Sequence, residues 1–140
     1  MKRGLLFVTI LISCLSFSCS SGEDGSKDGM QFFEGGWAAA LQKAGADKKP
    51  IFLDIYASWC GPCKMLKKKT FTDKGVAEYY NAHYINLSFD GEEGEGVMLA
   101  QKYQITGYPT LIILNPDGSV LKMATGFLPP DEFLAFGKLQ

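Results

Sequence analysis

Positions 51–57 are apolar except for Asp54 and include β-branched and aromatic residues, the pattern of a strand buried on both faces. Runs at 84–89 and 110–114 also read as strands. The latter leads through Asn115-Pro116-Asp117-Gly118 into a further strand at 119–124, which predicts an antiparallel hairpin. Helical spacing fills the intervals between them. Trp37, Leu41 and Ala44 recur at steps of four and three within 34–46, and Gly45 with Asp47-Lys48-Lys49-Pro50 closes that helix. Residues 61–69 predict a helix with Met65, Leu66 and Phe71 inward and Lys64, Lys67 and Lys68 outward. Asp73 is placed to cap a short helix carrying Val76, Tyr79 and Tyr80, and 97–103 and 131–139 predict two more. Residues 30–33 read as a short edge strand, and 91–96 as a solvated acidic loop rich in glycine. Helices alternating with strands, then a hairpin and a closing helix, imply one α/β domain over 30–140 with a central mixed sheet flanked by helices.

Composition narrows this little. The chain has 140 residues, 46% hydrophobic and 21% charged, enough for one domain with a real core. Its 14 basic and 15 acidic side chains leave a net charge of −1, which gives no reason to expect nucleic-acid binding.

The N-terminal pattern changes the picture more. Lys2 and Arg3 precede an almost unbroken apolar stretch over 4–17, which then breaks at Ser18-Cys19-Ser20-Ser21-Gly22. Residues 1–18 therefore read as a secretory signal, with a retained N-terminal anchor as the alternative. Residues 19–29 read as a flexible polar tether. Leu11-Ile12-Ser13-Cys14 resembles a bacterial lipobox, and Leu15-Ser16-Phe17-Ser18-Cys19 resembles it less well. The polar, acidic sequence after Cys19 nevertheless favours Cys19 as the lipidated residue; Cys14 and plain cleavage after Ser18 are the alternatives. A diacylated cysteine would hold the domain on a membrane. The expected location is thus exported and periplasmic.

Two of the four cysteines lie in or at the end of this signal, which leaves Cys60 and Cys63 in the folded part. They sit in Trp59-Cys60-Gly61-Pro62-Cys63-Lys64, between a predicted strand and a predicted helix. At a helix N-terminus, unpaired N–H groups and the helix dipole favour an anion, and the thiolate is the attacking species in disulfide exchange. The position therefore makes Cys60 a nucleophile and Cys63 its resolving partner. A permanent bridge across two residues closes almost no loop and would stabilise little. Zinc needs four ligands, and His83 is the only further nitrogen or sulfur ligand of the usual kind, so no metal and no cofactor are expected. Pro62 falls in the first helical turn, where its missing N–H matters least. Asp54 is a carboxylate in an apolar strand on the face of Phe52 and Tyr56, where burial raises a carboxyl's pKa.

The segment D-I-Y-A-S-W-C-G-P-C-K at 54–64, with Gly107-Tyr108-Pro109-Thr110, resembles thioredoxin. With K-P-I-F-L-D-I-Y-A-S-W-C at 49–60, T-F-T-D at 70–73 and T-G-F at 125–127, the wider pattern is closer to the C-terminal thioredoxin-like domain of the disulfide interchange protein DsbD and its relatives. The likeness covers residues 30–138. It implies a thioredoxin fold and a protein-disulfide oxidoreductase working through Cys60 and Cys63, with the reducing direction favoured by the Gly61-Pro62 pair. An oxidase or isomerase, or a binding module of the same fold, is the alternative. The resemblance also implies that Asp54 accepts the Cys63 proton and that Pro109 is cis beside the cysteines. It further implies that Tyr108 pairs by its backbone with an extended substrate segment, while Trp59, Gly61 and Pro62 form the contact surface. Its partners would be protein disulfides and an upstream thiol donor, and a monomer is expected. One departure stands out. Thioredoxin has a lysine on the strand beside the aspartate, and the matching position here reads as Asn86, so the buried charge pair is absent.

Overall fold

The computed structural model describes residues 28–139. The expected signal, the lipidation candidates Cys14 and Cys19, and nearly all of the tether lie outside them. The elements in order are α1 (Gly36–Asp47), β1 (Ile51–Tyr56), α2 (Gly61–Met65) running into a π-helical turn (Leu66–Thr70), and α3 (Lys74–His83). β2 (Ile85–Asp90), α4 (Gly94–Lys102), β3 (Thr110–Leu114), β4 (Val120–Thr125) and α5 (Pro130–Gly137) follow. Among the described residues, no helix is long and apolar enough to cross a membrane.

The four strands form one mixed sheet in the order β2-β1-β3-β4. β1 is central, parallel to β2 and antiparallel to β3, and β3 turns back into β4. The predicted hairpin is present. Asn115 N–H donates to Ser119 O at 2.8 Å, and Gly118 takes the positive φ of 84° that closes the turn.

Because β1 is buried on both sides, its alternate residues belong to two cores. Ile51, Leu53 and Ile55 join Ile85, Leu87, Ile112 and Leu114 beneath α1 and α4, where Trp37, Ala40, Ala44 and Leu99 cover them. Phe52, Leu111 and Ile113 face the other way, beneath the π-helical turn, α3 and α5, and meet Leu66, Val76, Tyr80 and Phe133. Phe133 stacks on Tyr80 at 4.2 Å between ring centroids and meets Phe52 edge-on at 5.2 Å.

The structure departs from the pattern in three places. Residues 30–33 are extended beside β2 without forming a strand: Phe33 N–H donates to Asn86 O, but the Asn86 side chain takes Gln31 O and interrupts a ladder. The expected helix over 61–69 changes pitch at Leu66, and Phe71 N–H reaches back five residues to Leu66 O at 3.0 Å. That change buries Leu66, Thr70 and Phe71 but leaves Met65 exposed at 39%. Finally, the expected loop over 91–96 is already helical from Gly94, and its first helical turn is more than a solvated one. Glu95 Oε2 accepts from Trp37 N–H at 3.1 Å and so caps α1 from across the fold.

Candidate active site at the β1–α2 junction

Past Tyr56 the chain leaves the sheet in a tight turn, with Cys60 N–H donating to Ala57 O at 3.1 Å. Cys60 is the N-cap residue of α2, in extended conformation, and its Sγ accepts from Cys63 N–H at 3.2 Å. A sulfur thus occupies the place that a serine or aspartate oxygen fills at other helix starts, and the same N–H would stabilise a thiolate there. Pro62 lies in this first turn and removes a donor that would have no helical partner. Cys60 and Cys63 are joined as a disulfide with 5.3 Å between their Cα atoms. Both are only 2% exposed, packed with Ala57, Tyr56 and Tyr108, while Gly61 and Pro62 stand exposed beside them.

The loop before β3 supplies the opposite wall. The Tyr108–Pro109 peptide bond is cis. Pro109 O accepts from Gly126 N–H at 2.8 Å, and Thr110 Oγ1 donates to Gly107 O at 2.7 Å, so the loop is tied at both ends. The β3–β4 ladder begins only at Thr110 opposite Thr125, which leaves Tyr108 outside it. Trp59 is 67% exposed and so is no core residue. Its ring meets Tyr108 edge-on at 6.1 Å, and its Nε1–H donates to Glu92 Oε2 at 3.0 Å. Tyr108 is also close to Gly91, where a Cβ would lie 2.8 Å from the phenol oxygen. Burial, Glu92 and Asp90 all push the Tyr108 phenol pKa up. Glu92 and the Gly91 contact went unread in the sequence, although their place in the acidic loop is a visible signal.

Asp54 lies on β1 six residues before Cys60, on the same face as Tyr56, which packs against the disulfide. It is 1% exposed. Ser88 Oγ donates to Asp54 Oδ2 at 2.8 Å, and Oδ1 has no hydrogen-bond partner. Loss of hydration pushes the carboxyl up to about 6, against the opposing pull of the Ser88 hydrogen bond and the Lys67 charge.

The neighbour of this carboxylate differs from the sequence expectation. The parallel register sets Asp54 opposite Ser88 and puts Asn86 opposite Phe52. Asn86 Nδ2 instead donates to Gln31 O and Asn81 Oδ1, at 3.1 and 3.2 Å. No ion pair to Asp54 is present among the described residues. The nearest cationic influence is Lys67, expected on a solvated face. Its Nζ sits 3.2 Å from the centroid of the Tyr56 ring, burial lowers its pKa, and Asp54 and Asp90 pull it back up. Ser88 and Lys67 are thus neighbours of Asp54 that spacing alone did not reveal. The alternation Asn86, Ser88, Asp90 along β2 was the available signal. His83, the further metal ligand considered, is remote in role: it stacks on Tyr79 at 4.2 Å and its Nδ1 contacts Tyr79 O.

Comparison with known proteins agrees with this geometry. A family model described as a thioredoxin-like domain matches residues 37–139. The thiol:disulfide interchange protein DsbD of Yersinia pestis is 33% identical over 94 residues, 65% of this chain but only 16% of that protein, so the chain spans a small part of its length. A thioredoxin of Mycoplasma genitalium is 29% identical over 67% of this chain and 85% of its own length. Among solved structures, a candidate disulphide-isomerase from Bacteroides thetaiotaomicron shares 42% identity with a TM-score of 0.69, covering 77% of this chain and 89% of that one. The oxidised C-terminal domain of Neisseria meningitidis DsbD shares 26% identity with a TM-score of 0.60, covering 76% and 94%. The chain belongs to the thioredoxin-like family and, like the thiol–disulfide oxidoreductases it resembles, carries a Cys-x-x-Cys pair, here Cys60 and Cys63 joined as a disulfide.

Proposed function

We propose that this protein is an exported protein-disulfide reductase, held at a membrane by lipid on Cys19 and recharged by an upstream thiol donor. The observation that carries the chemistry is Cys60 as a sulfur N-cap: the N–H that meets its Sγ at 3.2 Å favours the thiolate and hence attack. In the reducing turn, the Cys60 thiolate attacks one sulfur of a substrate disulfide, and the other sulfur leaves as a thiolate. Cys63 then gives its proton to Asp54 and attacks Cys60 Sγ. The second substrate thiolate departs, and the Cys60–Cys63 disulfide forms. Two electrons pass from the dithiol to the substrate, and the donor returns them. Tyr108, outside the β3–β4 ladder, is placed to pair with an extended substrate segment, with Trp59, Gly61 and Pro62 as the adjoining surface. The reducing direction draws on the Gly61-Pro62 pair and on the likeness to the C-terminal domain of DsbD.

Cys63→Ser tests the chemistry, because it should leave substrate proteins trapped on Cys60 as mixed disulfides. A binding module without catalysis would trap none. The potential of the Cys60–Cys63 couple tests the direction: a value below about −220 mV is expected for a reductase. The second reading is an isomerase or oxidase, favoured by the likeness to the candidate disulphide-isomerase. A potential nearer about −180 to −120 mV would select it. The mass of the mature N-terminus distinguishes lipid on Cys19, lipid on Cys14 and plain cleavage.

A further inference from the structure

Asp54 receives a proton in each reducing turn under the function proposed above, and the inference below rests on that reading. In the oxidised protein this proton equilibrates between a carboxyl 1% exposed and solvent, and a proton must come back to Cys63 when the donor restores its thiol. The disulfide side offers a poor exit, since Cys60 and Cys63 are themselves buried against Ala57, Tyr56 and Tyr108.

Beside Ser88 lies a groove of about 400 Å³, lined also by Tyr56, Lys67, Asp28 and Thr72 among others. Asp54 is not part of its wall, but Ser88 is, and Ser88 Oγ is 2.8 Å from Asp54 Oδ2. One hydroxyl therefore touches both the buried carboxyl and the open groove. The rest of the arrangement suits it. β2 turns Asn86, Ser88 and Asp90 to this face while Ile85 and Leu87 enter the apolar core opposite. Lys67 lies across the Tyr56 ring on the groove wall, where its charge favours the ionised form of Asp54. β3 brings only Leu111 opposite Asp54.

We propose that Ser88 is a positioning residue that relays the Asp54 proton to water in the groove, so that protons need not pass the buried disulfide. In the ionised state the Ser88 hydroxyl donates to Oδ2, as observed. Once Asp54 has taken the Cys63 proton, the hydrogen bond reverses: the carboxylic acid donates to Ser88 Oγ, and the Ser88 O–H turns to groove water. The hydroxyl passes its own proton to that water and takes the carboxyl's, which restores the starting state. One proton moves from Cys63 to solvent after oxidation, the reverse path returns one to Cys63 when the donor reduces the disulfide, and no electron crosses this path. The titratable and charged groups around Asp54 are Lys67 from the π-helical turn, Tyr56 on its own strand, Asp90 beyond Ser88 on β2, and, past Tyr56, Cys60 at the cap of α2 and Cys63 within it.

The test is the pH profile of multiple-turnover reduction of a disulfide-bonded peptide, with excess dithiothreitol recharging the protein and the uncatalysed rate subtracted, for wild type, Ser88→Ala, Ser88→Thr and Asp54→Asn. Turnover by Ser88→Ala should slow by roughly three- to tenfold, less than the roughly 10²–10⁴-fold contributed by a group that itself takes the proton from the reacting atom. Its acid midpoint should rise, because the carboxylate loses a donor, and the slowing should persist at pH 8.5, where Asp54 is ionised in both proteins. Ser88→Thr keeps a hydroxyl and should restore the rate. Unfolding midpoints and thiol counts confirm that each variant is folded. The relay is overturned if Ser88→Ala matches wild type, if its slowing disappears at pH 8.5, or if Ser88→Thr is as slow as Ser88→Ala. Asp54→Asn separates the two levels. Loss of the acid limb there with an unchanged Ser88→Ala removes only the relay; an unchanged Asp54→Asn profile removes the role of Asp54 as proton acceptor and the relay with it.

Discussion

The two faces of the sheet are built from the same strands and do different work. Beneath α1 and α4, Ile51, Leu53, Ile55, Ile85, Leu87, Ile112 and Leu114 present hydrocarbon alone. On the opposite face the composition changes along β1 and β2. It begins with Phe52 under the aromatic stack of Tyr80 and Phe133, and passes through Asp54 and Ser88 to Tyr56 and Asp90, next to the cysteine turn. Among the described residues, the two buried side-chain oxygens left without a partner, Asp54 Oδ1 and Asn86 Oδ1, are both on this second face. Each such atom costs on the order of 1–3 kcal/mol. One face therefore supplies uniform burial, and the other gives up stability beside the cysteine turn to keep a carboxyl out of water.

Moving a carboxylate to the wrong face breaks this contrast most sharply. Leu53→Asp would bury a charge beneath α1 with no hydrogen-bonding neighbour, and should cost more than about 4 kcal/mol. Thermal and urea unfolding should then show a protein that has lost its cooperative transition. Next in size is the aromatic end of the second face. Phe133→Ala empties a site between Tyr80, Phe52 and Phe71, and should lower stability by about 3–5 kcal/mol in urea titration with the disulfide intact.

Asp54→Asn should act in the opposite direction. The folded-state pKa is raised from 3.8 to about 6, so the native state binds this proton more tightly than the unfolded chain does. The stability that Asp54 provides is thus fully present below pH 3.8 and is lost as pH rises through 6. At pH 8 the neutral asparagine should be more stable than wild type by up to about 3 kcal/mol, with the gap closing below about pH 4. Denaturation curves at the two pH values check the sign. The smallest effect concerns the edge of this face. Asn81 accepts from Gln31 N–H and Asn86 Nδ2 and donates to Gly29 O, pinning residues 29–31 beside β2. Asn81→Ala should cost about 1–2 kcal/mol and speed amide exchange at Gln31, while the apolar face stays protected.

Much of this architecture is legible in one dimension. The strand at 51–57 announces itself because a run apolar at every position but one can only be buried on both sides. The hairpin follows from Asn-Pro-Asp-Gly, and the reactive pair from two cysteines between a strand and a helix. Asp54 is conspicuous as the one charge in that run. Its neighbours are not conspicuous, because pairing between strands distant in sequence sets them. A parallel register shifted by two residues separates Asn86 from Ser88, and both are polar residues at alternating positions. Lys67 was hidden for another reason. One π-helical turn changes which side chains face inward, and it carries a lysine of an ordinary basic helix onto the Tyr56 ring.

Sequence alone thus determined the element order, the mixed α/β class, the sulfur pair and the buried carboxylate, since each rests on local spacing or on the chemistry of single residues. Tertiary structure decided what surrounds them: Ser88 on Asp54, Lys67 on Tyr56, and Glu92 and Tyr108 around Trp59. Those contacts depend on strand register and helix pitch, where a displacement of one or two residues exchanges one polar side chain for another at almost no cost in hydrophobic pattern.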